Sequence, residues 1–340
     1  MEPIIKIIKS ASLATIVDKL KGRYPRLYAP VKKQELVELE VINGFNDIAQ
    51  DYLLTTQSVK KLAFPRVEKI LDYTLQKGNI QQQSPDTSNF PETVLFGIRP
   101  CDASGFRSLT AIFNGDKPDE FYKSRYEKLI IISFACNKAD AYCFCTSVGG
   151  NPGNTEGSDI QFTPVDNDEM LVEILTEKGK AVADLFSDLL SDCDKPVDKQ
   201  AYLANVPVVF DVNKVIDNTT KSFNNEMLWI NQSLRCIGCG ACAFVCPTCA
   251  CFDIQDEQNM KQGARLRLWD SCGFSLFTLH TSGHNPRHIQ SHRWRQRLMH
   301  KFSYMPEQLK VVGCEGCGRC SRACPVDMNI KEHLLQIAEL

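Results

Sequence analysis

Two short apolar runs set the pattern of the first half of the chain. Residues 94–98 (VLFGI) lie between Pro91 and Pro100, and residues 128–134 (KLIIISF) follow after a longer, mixed stretch. Apolar runs of this length, bounded by turn residues, read as inner strands. Between them residues 102–113 have helical spacing, with Phe106, Leu109 and Phe113 on one side. Strand, helix, strand in this order predicts a parallel βαβ unit. Residues 1–22 read as an amphipathic helix, residues 81–89 as a polar surface loop, and residues 208–210, entered through Pro207, as a last short strand. A polar linker over residues 211–225 then ends a mixed α/β domain spanning 1–225. A second domain runs from 226 to 340.

Composition narrows the class. At 340 residues the chain is long enough for two or three domains with real cores. Its formal net charge of -2 argues against a nucleic-acid-binding protein as a whole. The N-terminal segment has lysines throughout and no small-residue cleavage site, so it does not read as a secretory signal. No apolar run approaches the ~20 residues of a membrane span; the longest, residues 129–136, reads as a buried strand. Sixteen cysteines therefore belong to a soluble, cytoplasmic protein whose thiols stay reduced, and metal binding is their natural use.

The cysteine spacing says which metal. Cys236, Cys239, Cys242 and Cys246 are followed by Pro247, and Cys314, Cys317, Cys320 and Cys324 by Pro325. Both runs read C-x2-C-x2-C-x3-C-P, the spacing by which bacterial-type ferredoxins hold [4Fe–4S] clusters. Three thiolates on one tight loop face three irons of a cube; in two-cluster ferredoxins the fourth cysteine of each run ligates the other cluster. This assigns one cluster to Cys236, Cys239, Cys242 and Cys324, and the second to Cys314, Cys317, Cys320 and Cys246. Glycines at 238, 240, 316 and 318 suit a backbone wrapped closely on a cluster. Zinc ribbons share a single C-x2-C, but zinc leaves the third cysteine, the cysteine before proline and the duplication unexplained.

The expected second domain is thus a two-[4Fe–4S] ferredoxin-like unit carrying a helical insertion, residues 247–313. The insertion holds a basic stretch, residues 287–297, with Trp294 among its arginines. Basic residues around an aromatic suit a nucleic acid or another anion; the plainer reading is a basic helix face against an acidic partner or the cluster thiolates. His284, His288 and His292 recur every four residues, a helical stacking that makes a metal site conceivable, although Pro286 interrupts it and no carboxylate sits among them.

Eight cysteines remain. Cys101 and Cys136 directly follow the two predicted strands, and Cys143 and Cys145 come just after. In a βαβ unit those strand ends lie side by side at the carboxyl edge, where open α/β sheets bind ligands. Four thiols converging there suit a third cluster; the alternative is that each is a small buried apolar side chain. Cys249, Cys251 and Cys272 read as packing around the second cluster, and Cys193 as incidental. The glycines at 149, 150 and 153 follow cysteines rather than a strand, and no G-x-G-x-x-G opens a helix, so no dinucleotide site is recognisable. No nucleophile elbow or H-E-x-x-H occurs, and no catalytic residue is assigned.

Several segments carry a family resemblance: VLFGIRPCD at 94–102, YCFCTS at 142–147, CPTCACF at 246–252, WDSCGF at 269–274, NPR at 285–287, residues 295–297, HKF at 300–302 and CEGCGRCSRACP at 314–325. Together they resemble the dicluster iron–sulfur subunits typified by those of anaerobic sulfite reductase and by the beta subunit of sulfhydrogenase, from about Phe64-Pro65 onward. Arg66 stands where the family's FxFPQ-like segment has Gln. The resemblance implies an electron-transfer subunit of an anaerobic oxidoreductase, placed between a flavin subunit that oxidises NAD(P)H and a terminal reductase or hydrogenase subunit, including heterodisulfide reductase-like complexes. Glu315 departs from the family's usual apolar residue, and an acid beside a cluster lowers its potential. Two other classes stay open on the residues alone: an iron–sulfur sensor whose basic insertion binds nucleic acid, and an N-terminal domain with its own flavin chemistry.

Overall fold

In the computed structural model, residues 2–193 and 196–340 are described. Twelve strands are formed among these residues: β1 (Ile4–Lys9), β2 (Arg26–Lys33), β3 (Leu36–Val41), β4 (Val67–Gln76), β5 (Asn79–Gln83), β6 (Thr93–Ile98), β7 (Leu129–Phe134), β8 (Ile160–Pro164), β9 (Glu169–Ile174), β10 (Ser191–Asp192), β11 (Phe252–Asn259) and β12 (Gln262–Trp269). Eight of them make one mixed sheet in the order β10-β1-β9-β8-β7-β6-β2-β3. Its centre, β2-β6-β7-β8, is parallel, and antiparallel strands flank it on both sides. The predicted βαβ unit is present: β6 and β7 are parallel neighbours, joined through the helices Pro100–Ala103, Gly105–Phe113 and Glu120–Glu127.

The two apolar runs are apolar throughout because both faces of the sheet are covered. Val94, Phe96, Ile130 and Ile132 pack on one side with Leu20, Phe162 and Val172. Leu95, Ile98, Leu129 and Ile131 pack on the other with Phe106, Leu109, Phe64 and Trp269. A third core, around Trp229, Trp294, Leu298, Phe302 and Leu334, supports the cysteine runs. It also takes in Phe144 and Phe210 from the first half of the chain.

Several expectations are corrected. The first residues form β1 rather than a helix: the isoleucines at 4, 5, 7 and 8 are β-branched and pair antiparallel with β9, and the helix Leu13–Arg23 starts only afterwards. The start of the polar loop at 81–89 belongs to β5, whose five residues are all exposed. Residues 208–210 make no ladder; Val209 instead donates its N–H to Ser147 Oγ at 2.9 Å. The supposed linker holds the helix Val212–Lys221, capped by the Asp211 carboxylate.

The insertion is not simply helical. It opens with the β11–β12 hairpin, and only then comes a helical stretch, Gln290–Met299, His300–Tyr304 and Met305–Leu309. That hairpin pairs with β4, giving a second sheet, β11-β12-β4-β5, shared between the 1–225 and 226–340 segments. A buried ion-pair network secures the seam. Glu68 on β4 accepts from both Arg125 and Arg267, and Arg267 on β12 also reaches Asp119. Glu68 and Arg267 are 4 % and 3 % exposed. Removing one member of such a network strands a buried charge, at a cost of about 3–5 kcal/mol, so the two segments are held in one register.

Candidate metal centre

The eight cysteines of the two runs come together beneath the carboxyl edge of the large sheet. In each run the residues between the first three cysteines turn through left-handed glycines: Gly238 and Gly240 have φ of +69° and +74°, Gly316 and Gly318 +60° and +69°. At 316 and 318 close approach adds to the demand. A Cβ on Gly316 would sit 2.5 Å from the Cys145 nitrogen, and one on Gly318 2.6 Å from the Tyr142 carbonyl oxygen. The first run is seated as tightly, since a Cβ on Gly105 would lie 2.8 Å from Pro247 Cβ.

Cys236, Cys239, Cys242 and Cys324 line one cavity, which Cys320 and Cys272 also reach. The sulfurs there are supplied with donors: Gln290 Nε2 donates to Cys236 Sγ at 2.9 Å, and the Met328 N–H to Cys324 Sγ at 3.2 Å. Cys246 and Cys314 are buried deeper, within electrostatic reach of each other and of Cys320. Cys317 faces a different cavity, where the Cys101 thiol donates a hydrogen bond to it and holds it down at about 7.

Three buried cations surround the turn after Cys246. Lys60 donates to the carbonyl oxygens of Ala243 and Cys249 at 3.0 and 2.9 Å, over the face of Trp269. Arg297 donates to Cys242 O at 3.2 Å and points at Cys249 Sγ. Lys301 Nζ reaches Cys246 Sγ at 3.3 Å, Thr248 Oγ1 at 2.9 Å and Gly313 O at 2.6 Å. A π-helical turn, His300–Tyr304, carries Lys301 into this position. Burial pulls the Lys301 ammonium down, yet the Cys246 and Cys249 sulfurs outweigh it and hold it well above its ordinary value. Cys246 in turn is pushed well below the usual thiol range, first by the hydrogen bond from Cys249 and then by Lys301, Arg297 and Lys60. A deprotonated thiol is the form that binds metal.

The other sequence candidates fall out as follows. Cys101, Cys136, Cys143 and Cys145 line one cavity, together with Cys317 and Glu315. Cys251 accepts from the Cys272 thiol, which lowers it to about 6. The histidines do not stack on one helix face: the helix begins at Gln290, and the rings meet in pairs, His280 with His284 at 5.4 Å and His288 with His292 at 5.8 Å. Arg297, from the basic stretch, turns inward to the thiols. Arg293 turns back on its own segment and Arg295 caps Phe223 O. Arg66 stacks on Trp269, whose indole donates to Phe64 O at 3.0 Å. Glu315 is buried, and that burial raises its carboxyl pKa, working against the full negative charge expected beside a cluster. Sequence reasoning missed Lys60, which lies far from any cysteine run; only its place just before the Phe64-Pro65 segment hinted at a role.

Among the described residues no three His, Cys, Asp or Glu side chains converge on the radius of a single ion. Zinc draws thiolates to about 2.3 Å, whereas the thiolates of a cube sit on separate irons around a space. Eight thiols in a duplicated ferredoxin spacing, with left-handed glycines, sulfur-directed donors and buried cations, define an iron–sulfur protein of the bacterial ferredoxin type.

The comparisons with known proteins agree. Residues 235–328 match the family described as a 4Fe-4S dicluster domain. The chain is 29% identical over 322 residues, 93% of its own length and 92% of the other, to sulfhydrogenase 2 subunit beta of Pyrococcus furiosus. No solved structure matches it. Residues 235–328 form a 4Fe-4S dicluster domain, and the chain carries two [4Fe–4S] clusters.

Lys301→Met tests the charge argument. Losing a buried cation beside Cys246 disfavours the more negative, reduced cluster. The midpoint potential of one cluster should fall by about 60 mV or more, a tenfold change in a one-electron equilibrium. Unchanged potentials in a redox titration followed by EPR would remove Lys301 from that role.

Proposed function

We propose that this chain is an electron-transfer subunit that relays electrons between a flavin-bearing, NAD(P)H-oxidising subunit and a terminal redox subunit of the sulfite reductase, sulfhydrogenase or heterodisulfide reductase-like kind. A [4Fe–4S] cluster supplies one-electron chemistry, and the chain's residues set its potential through charge, hydrogen bonds to sulfur and burial. The proposed ligation is crossed: Cys236, Cys239, Cys242 and Cys324 for one cluster, Cys314, Cys317, Cys320 and Cys246 for the other. The observation that carries the reading is the shared setting of the two runs. Cys324 of the second run lies in the cavity of the first, while Cys246 of the first lies with Cys314 and Cys320. Two clusters so held are close neighbours, which suits a relay. The sulfhydrogenase relative, matching over nearly its full length, supports the kind of complex. Among the described residues no helix is long and apolar enough to cross a membrane.

An exit to a partner is also visible. Cys239 is exposed, and beside it Ile237 and Leu234 are 65 % and 75 % exposed. Ile230 and Met227, one and two turns earlier on the helix Glu226–Ser233, extend the same apolar face. Apolar surface next to an exposed cluster ligand is where a redox partner docks without losing the electron path to water.

Three experiments test this reading. Purified anaerobically, the chain alone should show iron–sulfur colour without flavin, and NAD(P)H should not bleach it until a flavin-bearing partner is added. Bleaching by NAD(P)H alone would sink the relay, and steeply salt-dependent binding of mixed DNA or RNA would favour a regulator. Cys324→Ser should perturb the EPR signal of the cluster on the first run; an effect confined to the second would overturn the crossed ligation. Leu234→Glu with Ile237→Glu should slow electron exchange with the partner at least tenfold while leaving the iron content unchanged, and an unchanged rate would place the exit elsewhere.

A further inference from the structure

The cavity at the carboxyl edge of β6 and β7 meets the eight assigned ligands only at Cys317, and the rest of its lining is rich in thiols. Cys101 enters it from the first turn after β6, and Cys136 from two residues beyond β7. Cys136 is tied on both sides: its N–H donates to Pro152 O at 2.8 Å, and its carbonyl accepts from Ala204 N at 2.7 Å. Cys143 and Cys145 arrive on one loop. Between them Phe144 is 1 % exposed and packs on Phe210, while its N–H donates to Gly316 O at 2.9 Å. The phenyl ring is anchored in the neighbouring core, and the two flanking thiols both line the cavity. A Cys-x-Cys pair with a buried middle residue thus offers two sulfurs to one space, an arrangement that residue spacing alone did not suggest.

The space resembles the one at the ferredoxin-type site. It is similar in size to the cavity lined by Cys236, Cys239, Cys242 and Cys324, about 40 Å³ in each. Cys101, Cys136, Cys143 and Cys145 line it, as those four line the ferredoxin-type cavity. Cations stand by: Arg322 Nη2 lies 3.5 Å from Cys143 Sγ, and Arg99 Nη1 donates to Ala135 O, next to Cys136, at 3.3 Å. Glu315, 7 % exposed, lines the same cavity; its Oε2 accepts from Ser104 Oγ at 2.6 Å, while its Oε1 has no partner among the protein's own groups.

We propose that Cys101, Cys136, Cys143 and Cys145 hold a third [4Fe–4S] cluster, set against the second ferredoxin run, whose Cys317 lines the same cavity. It extends the relay of the preceding section by one station and rests on that reading only for its electron supply. That supply is one electron to or from the adjoining cluster, with no bond made or broken. The electron path then runs from the exposed Cys239 to the edge of the large sheet, on the opposite side of the ferredoxin unit's deeper thiols.

The test is iron and acid-labile sulfide per chain on the full-length protein purified without oxygen, with Mössbauer and EPR spectra before and after reduction. About twelve irons and twelve sulfides are expected. A Cys143→Ser/Cys145→Ser double variant should keep about eight of each and retain the signals of the two ferredoxin-type clusters. About eight irons in the unaltered protein would overturn the third cluster and leave the two-cluster relay standing. One zinc per chain with eight irons would overturn it equally. Should the double variant fail to fold, the count on the unaltered protein decides the matter alone. Fewer than eight irons there, after full reconstitution, would strike the relay itself.

Discussion

The ion pair between Arg319 and Asp102 is the constraint on which the metal-binding half of the molecule depends. Both side chains are 2 % exposed, with Arg319 Nη2 2.6 Å from Asp102 Oδ2. Arg319 also donates to Thr55, through Nε to the carbonyl oxygen and through Nη2 to the hydroxyl. Burying two charges costs several kcal/mol per ion, so such a pair adds little net stability and is justified by the position it enforces. Arg319 lies between Cys317 and Cys320, and Asp102 follows Cys101. The pair therefore fixes the second ferredoxin loop on the edge of the large sheet and sets the Cys101 thiol against Cys317. The left-handed Gly316 and Gly318 then let the same loop close on residues 142–145 without a side chain intervening.

Charge balance ties the cysteine runs to the fold in the opposite direction. Lys60, Arg297 and Lys301 are each about 3–4 % exposed, a burial that isolated cations do not tolerate. The counter-charge is the sulfur of the cysteines themselves. Lys60 comes from the first half of the chain, Arg297 and Lys301 from the insertion, and all three meet at residues 246–251. Binding of metal to these thiolates is for this reason coupled to folding of both halves. The hairpin β11–β12, paired with β4 and locked by Glu68 and Arg267, holds the far side of that same turn.

How much of this was legible in the sequence follows from the range of the interactions. The eight ferredoxin-type cysteines and their glycines were legible because one tight loop carries each set, and the spacing is the geometry. The β6–β7 unit was legible because strands covered on both faces are apolar at every position. The reading of residues 1–22 failed because an alternation of isoleucine and lysine fits a helix face almost as well as a strand, and only pairing with β9 decides between them. The insertion hairpin was missed because residues 252–259 are mostly polar and lie at the exposed edge of the sheet, so their strand character comes from pairing with β12 rather than from burial. Lys60 was invisible because nothing in the local sequence distinguishes a buried, thiol-compensating lysine from an ordinary solvated one. The convergence of Cys101, Cys136, Cys143 and Cys145 on one cavity was anticipated from strand ends alone, since parallel neighbours bring their carboxyl ends together whatever the loops do.

The placement of that cavity gives the two halves of the chain a common purpose. An open α/β sheet presents its ligand site at the carboxyl edge, and here the ferredoxin-like unit is docked on that edge instead of at a distance. Cys320 reaches the cavity of the first run and lies within electrostatic range of Cys246 and Cys317; Cys317 lines the same cavity as Cys101. On the proposed ligation, the cysteines lining the two cavities lead from the exposed Cys239 to the end of β6. Electron transfer between cofactors weakens steeply with distance, so a series of neighbouring ligands is worth more than any single favourable potential. The buried Arg319–Asp102 pair sits at the junction of that series. Its cost in desolvation is understandable if its role is to keep Cys101 and Cys317 on one cavity, because a small slip of the second loop would break the series at its narrowest point while leaving each cysteine run intact.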